Sequence, residues 1–286
     1  MSDRLDVRKT YKLYIGGAFP RSESGRSYPV HGADGSLLAH AAQASRKDVR
    51  DAVVAARKAF PGWSSATGYN RGQVLYRVAE LLEGRREQFV AEVMAATGAA
   101  ADAARQEVDA AIDRWVYYAG WADKYAQVAG GTNPVAGPYF NFSLPEPAGV
   151  VAVIAPQDSS LLGLVSVLAP VLVTGNTAVV VASQAHPLPA VSLTEVLATS
   201  DVPGGVVNVL TGFTAELAPW LASHRDVNAI DLTGVAADAR RDLAIAAADN
   251  VKRVLSPRDA EWTVDPGLSR IAAFVETKTV WHPIGV

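Results

Sequence analysis

The chain has 286 residues, 49% of them hydrophobic and 19% charged, so it can bury a large core and is neither disordered nor a small disulfide-stapled scaffold. Lys and Arg number 26 against 29 Asp and Glu, and this slightly acidic balance argues against nucleic acid as a partner. The sequence has no cysteine, which excludes disulfides, cysteine-ligated metals and a thiol nucleophile.

The first part of the chain is predicted to be mainly helical. Residues 12–19 predict a short hairpin around a Gly-Gly turn. Ser45 and Asp48 then have the spacing of a capping box, which predicts an amphipathic helix that ends near Pro61. Two longer helices are predicted over residues 70–92 and 99–125. The second of these carries an aromatic cluster that is typical of a core or an interface.

The sequence does not indicate a membrane protein. Residues 1–12 mix acidic and basic side chains without the apolar run of a secretory signal. Residues 161–182 are strongly apolar, but Pro170 and a turn-forming Thr-Gly-Asn-Thr run interrupt them. We interpret this stretch as a buried helix, a turn and a strand, and we expect a cytoplasmic protein without membrane contact.

From residue 150 onwards, short apolar runs alternate with helical stretches. Strands are predicted over 150–155, 178–182, 206–210, 229–232 and 251–255, with helices near 160–173, 189–199, 215–223 and 236–248. This alternation is typical of an α/β fold with a doubly wound, Rossmann-like parallel sheet covered by helices on both faces. After residue 255 the alternation stops. Residues 256–267 predict a connection, and residues 271–281 predict one last extended strand.

The turn after the first of these strands lacks the features of a nucleotide-binding loop. It reads Pro156-Gln157-Asp158-Ser159-Ser160, whereas a dinucleotide fingerprint places glycines there so that backbone amides can approach a pyrophosphate. The sequence contains no P-loop, zinc-protease or nucleophile-elbow motif, and its five histidines do not have metal-ligand spacing. Short motifs therefore assign no catalytic or metal site.

Several blocks, taken in order, resemble the aldehyde dehydrogenase family. Residues 14–17 with 24–26, 52–60 and 117–124 resemble its opening ribbon, its first helix and a later characteristic helix. Residues 145–151 resemble its E-P-x-G-V-V block, 175–177 its G-N-T and 203–212 its P-x-G-V-V-N-V-x-x-G. The resemblance covers nearly the whole chain. It implies a Rossmann-like cofactor domain and NAD(P)-dependent oxidation of aldehydes through a thiohemiacetal on a cysteine.

The chain departs from the family at the positions that carry this chemistry. Where the family has P-W-N-F, Asp158 replaces the asparagine that donates to the oxyanion, and a carboxylate would repel that charge. Of the family's K-P-S-E only Ser183 is kept, so the lysine that contacts the cofactor ribose is missing. Of its F-T-G-S only Thr233 and Gly234 remain. The cofactor anchors are therefore mostly lost.

The family's general base and nucleophile are missing as well. Its L-E-L-G-G should begin at Leu255, but Pro257 stands near the expected glutamate, and Glu261 is the nearest carboxylate. The catalytic cysteine is absent. The comparison with the family's motifs therefore implies a pseudoenzyme with no catalytic residue and no metal.

The end of the chain resembles the last strand of the family's oligomerisation ribbon. Residues 267–281 carry this likeness, and residues 139–144 are the expected partner strand. The resemblance therefore implies that the catalytic domain between cofactor domain and ribbon has been deleted. The candidate oligomerisation residues are Tyr139, Phe140, Phe142, Leu144, Thr277, Thr279, Val280 and Trp281.

Four regions follow from these assignments. The N-terminal ribbon and helices occupy residues 1–138, the oligomerisation strand region 139–149, the Rossmann-like core 150–256, and the linker with the C-terminal oligomerisation strand 257–286.

The leading hypothesis is an inactive structural or regulatory subunit. The resemblance implies that its partner is a full-length aldehyde dehydrogenase, or a second copy in a homodimer. No nucleic acid or membrane partner is expected. A three-stranded sheet with an exposed apolar edge would be an aggregation hazard unless a partner covered it.

Two other hypotheses remain open. The first is an NAD(P)-binding or sensing module, in which Ile154, Ser183, Thr233 and Gly234 line a vestigial pocket. No cofactor is expected under the leading hypothesis, and weak NAD(P) binding is the alternative. The second is an enzyme that uses Ser159 or Ser160 as nucleophile, although both serines are explained more simply as helix caps.

Overall fold

The computed structural model describes residues 7–256 and 261–285. The strands are β1 (Thr10–Tyr11), β2 (Ser27–His31), β3 (Leu37–Ala42), β4 (Gly131–Asn133), β5 (Tyr139–Pro147), β6 (Val150–Ile154), β7 (Thr177–Val181), β8 (Val207–Leu210), β9 (Ala229–Asp231), β10 (Arg253–Leu255) and β11 (Val275–Pro283). The helices are α1 (Arg46–Ser65), α2 (Gly68–Glu83), α3 (Arg86–Thr97), α4 (Ala101–Trp121), α5 (Tyr125–Ala129), α6 (Leu162–Val173), α7 (Leu188–Thr199), α8 (Thr214–Ser223), α9 (Ala237–Ala248) and α10 (Ser269–Ala273).

A parallel sheet of five strands, in the order β10-β9-β6-β7-β8, forms the centre of the fold. Every residue of β6 and β7 is buried. Val151 and Val153 point into a cluster with α4 and α6, whereas Val150, Ala152 and Ile154 point into one with α1 and α8. Two apolar faces explain the continuous Val and Ile runs. The predicted doubly wound, Rossmann-like α/β fold is confirmed.

The first strands form a small separate sheet in the order β1-β3-β2. The strands β2 and β3 were missing from the sequence prediction. The predicted tight turn is present, since Ile15 and Ala18 exchange backbone hydrogen bonds of 3.0 Å in both directions. Tyr14 also exchanges backbone bonds with Val209 of β8, which joins the N-terminal segment to the edge of the parallel sheet.

Helix ends follow local capping chemistry. The capping box is confirmed, because Ser45 Oγ accepts from the Asp48 amide at 3.3 Å and the Asp48 carboxylate accepts from the Ser45 amide at 2.8 Å. The helix that was predicted to end near Pro61 continues to Ser65. The stretch predicted as one helix over 70–92 is two helices, because the chain leaves α2 at Gly84, whose amide closes the last turn onto the Glu80 carbonyl at 3.1 Å.

Two further predictions needed correction. The helix predicted over 99–125 is broken after Trp121, where α5 follows as a separate short helix. The strand predicted over 271–281 begins only at Val275, because Ile271 lies in α10 and is fully buried against the core.

The chain beyond α9 contains a strained position. Val251 has φ of 58° and is 89% exposed, so a β-branched residue occupies a left-handed conformation without any packing in return. We expect Val251→Gly to raise the free energy of unfolding by about 1 kcal/mol, because glycine adopts this conformation without the steric cost.

Urea denaturation measures this effect. Val54→Gly is the matched control, since Val54 is an exposed valine inside α1 and its replacement should lower stability by about 0.5–1 kcal/mol. Equal losses in the two variants would contradict the prediction.

Candidate functional site

A cavity of about 890 Å³ opens at the carboxyl edge of the parallel sheet. This edge is where open α/β sheets bind ligands, because loops and helix N-termini converge there. The loops after β6, β7 and β9 line the cavity together with α8 and α9, and Trp262 from the connection after β10 adds an aromatic side chain. If the predicted cofactor residues form a binding site, they should therefore line this cavity.

The structure brings only part of the predicted cofactor set to this cavity. Thr233 and Gly234 line it, whereas Ile154 and Ser183 do not. The side chain of Ile154 is fully buried in the sheet, and Ser183 Oγ donates to the carbonyl of Gln157 at 3.1 Å. Ile154 and Ser183 thus support the cavity's walls, and a cofactor role for any of the four stays a prediction.

Packing alone requires a glycine at Gly234. Its amide donates to the Ile154 carbonyl at 2.9 Å, and a Cβ there would lie 1.8 Å from the carbonyl oxygen of Ala155. No side chain fits so close to the backbone of the neighbouring strand end. The retained Thr-Gly pair therefore does not by itself point to a ligand.

The first strand–helix turn is closed by the side chain of Gln157. Its amide nitrogen donates to the Ala155 carbonyl at 2.8 Å, and its amide oxygen accepts from the backbone of Gln184 at 2.8 Å. Asp158 next to it is exposed and lines the cavity. A carboxylate therefore stands where the family motif carries an amide donor.

The N-terminus of α6 is satisfied by protein groups. The Glu107 carboxylate, from α4, accepts from the backbone amides of Leu161 at 3.4 Å and Leu162 at 3.3 Å. Ser159 Oγ accepts from the Gly163 amide at 2.8 Å and donates to Glu107 at 3.3 Å. An anion at a helix N-terminus is favourable. The sequence did not indicate Glu107, because the contact joins residues far apart in the chain.

These contacts explain Ser159 as a capping residue rather than a nucleophile. All five histidines lie in the described ranges, and none of them forms a hydrogen bond with Ser159 or Ser160. Burial lowers the pKa of His186, which is near the same loop. Its backbone amide donates to Ser183 Oγ at 3.2 Å, and its ring atom Nδ1 forms no hydrogen bond with the described residues. Ser159 thus has no histidine base, and the carboxylate that it contacts, Glu107, already accepts from the amides at the start of α6.

A buried ion pair occupies the second strand–helix corner. Arg270 Nη1 lies 2.8 Å from the Asp231 carboxylate at the end of β9, with the two side chains 12% and 0% exposed. Arg270 also donates to Thr233 Oγ1 at 3.2 Å and lies 5.3 Å from the ring centre of Trp262. The pair therefore fastens α10 to the end of β9 beside the cavity. This pair was not predicted, although a carboxylate that ends an apolar strand was a signal for it.

The cavity fits a dinucleotide poorly. Asp158 and Asp242 line it, and no lysine is among its described lining residues. Its cation, Arg240, donates to the carbonyls of Val235 at 2.9 Å and Thr233 at 3.4 Å. A pyrophosphate needs unengaged donors and positive charge. Most of the hydrogen-bond donors at this cavity are instead bonded to backbone groups of the protein itself.

The predicted general-base position at Pro257 lies outside the described residues.

A second candidate site is the three-stranded antiparallel sheet β11-β5-β4, which we call the ribbon. The predicted pairing of residues 139–144 with 277–281 is confirmed, and β5 and β11 pair along nine residues each, from Val275 opposite Pro147 to Pro283 opposite Tyr139. Nearly all ribbon residues are exposed or half-buried.

The ribbon has two different faces, because side chains alternate along a strand and directly opposed residues share a face. One face, which we call the apolar face, carries the apolar residues Phe140, Phe142, Leu144 and Val280, and on the same side lie Glu146, Glu276, Lys278 and His282. The rings of Phe140 and Phe142 are 5.4 Å apart, and Phe140 and Leu144 are 47% and 43% exposed. This exposed apolar patch is typical of an interface.

The opposite face, which we call the polar face, carries the rest of the predicted set. Thr277 and Thr279 lie there, and Thr279 shares a hydrogen bond of 2.9 Å with Ser143. Tyr139 and Trp281 close its end in an edge-to-face contact of 5.7 Å. The candidate oligomerisation residues therefore fall into two groups that cannot contact the same surface.

No helix within residues 7–256 and 261–285 is both long and apolar enough to cross a bilayer. The same residues contain no cluster of His, Asp and Glu side chains that could hold a metal ion.

Known proteins resemble this chain along most of its length. Cytosolic 10-formyltetrahydrofolate dehydrogenase of Mus musculus is 33% identical over 259 residues, which cover 88% of this chain and 28% of that protein. Aldehyde dehydrogenase, cytosolic 1, of Elephantulus edwardii is 32% identical over 250 residues, covering 85% and 49%. A solved NAD+ complex of an aldehyde dehydrogenase from Bacillus cereus superposes with a TM-score of 0.81 at 27% identity, covering 86% and 50%.

The chain thus spans between about a quarter and half of the length of the relatives it matches. A model of the aldehyde dehydrogenase family matches residues 20–257, which include the helical part and the whole parallel sheet. The match ends before residues 267–281, so their likeness to the family's last strand stays a prediction. With most of its length matched in sequence and in fold, the chain belongs to the aldehyde dehydrogenase family.

Proposed function

We propose that this chain is a catalytically inactive aldehyde dehydrogenase-like subunit, which assembles with a full-length aldehyde dehydrogenase and stabilises or regulates it. The observation that carries the proposal is the exposed apolar face of the ribbon beside a site without catalytic groups. A subunit that retains its assembly surface but lacks catalytic residues would show both of these features. We place its function in the cytoplasm, with neither nucleic acid nor membrane as partner.

The chemistry of the site supports inactivity. The chain has no cysteine to form a thiohemiacetal. Asp158 would repel the negative charge that develops on an aldehyde oxygen, where a neutral amide would stabilise it. The chain also passes from β10 to α10 through residues 256–268, a connection too short for a catalytic domain. Each change independently removes a requirement of the family's reaction.

The shape of the ribbon supports assembly. Phe140, Phe142, Leu144 and Val280 form one apolar surface beside the ion pair of Lys278 and Glu146, which are 2.9 Å apart. Three strands with both faces open are marginal by themselves. Burying the apolar face against a partner would remove this surface from water.

Affinity capture with the tagged 286-residue chain, carried out on a lysate of its native host, tests the proposal. We expect it to retain a full-length aldehyde dehydrogenase, and we expect the Phe140→Ser/Leu144→Ser variant to lose most of it. The matched control is Tyr139→Ser/Thr277→Ser, which alters the polar face and should keep the partner. Retention of no family member by the unaltered chain would refute the proposal.

The cavity at the carboxyl edge of the sheet favours a second candidate function, an NAD(P)-binding or sensing module without catalysis. Its volume of about 890 Å³ and the position of Thr233 and Gly234 support this candidate. The acidic lining and the lost lysine oppose it. Under the leading proposal, calorimetry with NAD and NADP should show no binding tighter than about 1 mM, or about 4 kcal/mol. Saturable binding below that value would favour the sensing module.

A further inference from the structure

A second cavity lies between the start of α1 and the end of α8, and its volume is about 550 Å³. We call it the basic groove, because Arg46, Lys47 and Arg50 line it from α1, while Trp220 and His224 line it from the end of α8. The described residues that line it differ from those of the cavity at the sheet edge. Its volume falls within the range of small-molecule sites.

Arg46 has unused hydrogen-bond donors in this groove. Its guanidinium carbon lies 4.0 Å from the centre of the Trp220 ring, so the two groups stack. The described residues offer Arg46 neither a hydrogen-bond partner nor an ion pair. Stacking uses the face of a guanidinium and leaves the N–H groups at its edge available to a ligand. Trp220 therefore holds in place a cation that the protein itself does not neutralise.

Positive charge exceeds negative charge in the basic groove. Lys47 Nζ lies 3.8 Å from the carboxylate of Glu23, which is the only acidic side chain among the described lining residues. Glu23 also accepts from Ser45 Oγ at 2.9 Å. Arg50 bonds at 3.0 Å to Asp51, its neighbour in sequence, and both side chains are exposed. Three cations thus lie near two carboxylates, which leaves a net positive charge.

The donors of the basic groove are side chains rather than the helix terminus, because Ser45 already caps the first amides of α1. His224 adds a neutral donor. Burial lowers the pKa of His224, so the ring is neutral at pH 7, and its Nδ1 accepts from the Asp226 amide at 3.2 Å. The ring hydrogen is therefore on Nε2. The groove thus combines guanidinium, ammonium and imidazole N–H groups.

We propose that the basic groove binds the phosphate group of a small phosphorylated organic molecule. A phosphate dianion accepts hydrogen bonds from several donors at once, and charged arginine and lysine side chains form the strongest of these bonds. A phosphate group fills only a small part of about 550 Å³, so the remainder can hold the organic part of the ligand. This inference goes beyond the proposed function, because it uses neither the ribbon nor the cavity at the sheet edge.

Calorimetry of the purified full chain with phenyl phosphate, at pH 7.5 and low ionic strength, tests the inference. Inorganic phosphate and benzoate are the matched probes, since the first lacks the ring and the second lacks the dianion. We expect phenyl phosphate to bind with a dissociation constant of about 1 mM or below, and each matched probe to bind at least about fivefold more weakly. If phenyl phosphate bound no tighter than either probe, the inference would be wrong.

Charge-matched variants locate the binding site. Arg46→Gln/Arg50→Gln should raise the dissociation constant for phenyl phosphate about tenfold or more, because it removes two of the three cations of the groove. Arg77→Gln/Arg105→Gln is the control, since it removes two exposed arginines of α2 and α4 and changes the net charge equally. Equal weakening in both variants would show attraction by net charge alone and would overturn the inference.

Two further substitutions act in opposite directions. Glu23→Gln should lower the dissociation constant about threefold or more, because it removes the carboxylate that repels an anion in the groove. Trp220→Leu should raise it about fivefold, and Trp220→Phe should restore most of the affinity, because a phenyl ring still supports Arg46. Unchanged affinity in Glu23→Gln would place the ligand elsewhere and contradict the inference. None of these measurements depends on a family partner.

Discussion

Replacing Arg270 by leucine is expected to cost about 3–5 kcal/mol of unfolding free energy at neutral pH, because it leaves the Asp231 carboxylate buried without a cation. Asp231 is fully buried and would keep only the amide and hydroxyl of Thr233 as donors. Arg77→Leu is the matched control. Its exposed pair with Glu80 should contribute less than about 1 kcal/mol.

The unfolding free energy lost in Arg270→Leu should depend on pH. Burial raises the pKa of Asp231, and Arg270 and Thr233 oppose this effect, so the pKa rises further when Arg270 is removed. A carboxyl group whose pKa is higher in the folded than in the unfolded state favours folding while it is protonated, and this contribution is lost as pH rises through the folded pKa. We therefore expect Arg270→Leu to be less destabilised at pH 4 than at pH 7.

Urea denaturation at both pH values measures the effect, and the Asp231→Asn/Arg270→Leu double variant should recover part of the stability. If Arg270→Leu lowered the free energy of unfolding as little as Arg77→Leu does, the Asp231–Arg270 ion pair would not stabilise this strand–helix corner.

Replacing Asn176 by alanine is expected to lower the free energy of unfolding by about 2–5 kcal/mol, because it leaves the Gly149 amide without a partner and removes two further buried hydrogen bonds, to Thr174 and to Phe274. The Asn176 side chain accepts from the Gly149 amide at 2.8 Å and donates to the carbonyl of Phe274 at 2.8 Å. It is fully buried and thus joins the start of β6 to the residue that precedes β11.

Hydrogen exchange distinguishes the bond that Asn176 accepts from Gly149 from the bond that it donates to Phe274. Asn176→Asp keeps the acceptor for Gly149 but loses the donor to Phe274, so it should speed the exchange of the β11 amides more than that of the β6 amides. Asn250→Ala is the control, since Asn250 is half-buried and bonds to the Arg225 carbonyl at 3.0 Å. Unchanged exchange of β11 in Asn176→Asp would contradict the link between sheet and ribbon.

Local patterns account for most of the fold that could be predicted. The Val- and Ile-rich runs located every strand of the parallel sheet within two residues. The reason is clearest for β6 and β7, which are buried on both faces and are therefore almost continuously apolar, whereas β10 is largely exposed. The Ser45 capping box placed the start of α1 for a similarly local reason. The strands β2 and β3 were missed, since Pro29 lies inside β2 and β3 is rich in alanine, a residue type that is depleted in strands.

The candidate sites were harder to predict because they depend on contacts between distant residues. Asp231 meets Arg270, and Glu107 meets the amides of Leu161 and Leu162, across long separations that no spacing rule connects. The ribbon pairing was recognised from family motifs. The division of its residues between two faces follows from strand alternation, but only once the register is known.

Native mass spectrometry of the tagged chain, purified from its own host, shows whether the chain is a non-catalytic subunit of a larger aldehyde dehydrogenase assembly. We expect a complex that contains a full-length aldehyde dehydrogenase in fixed stoichiometry with the 30.1 kDa chain. If the chain forms only a homo-oligomer, with no family member at any ratio, it is not such a subunit.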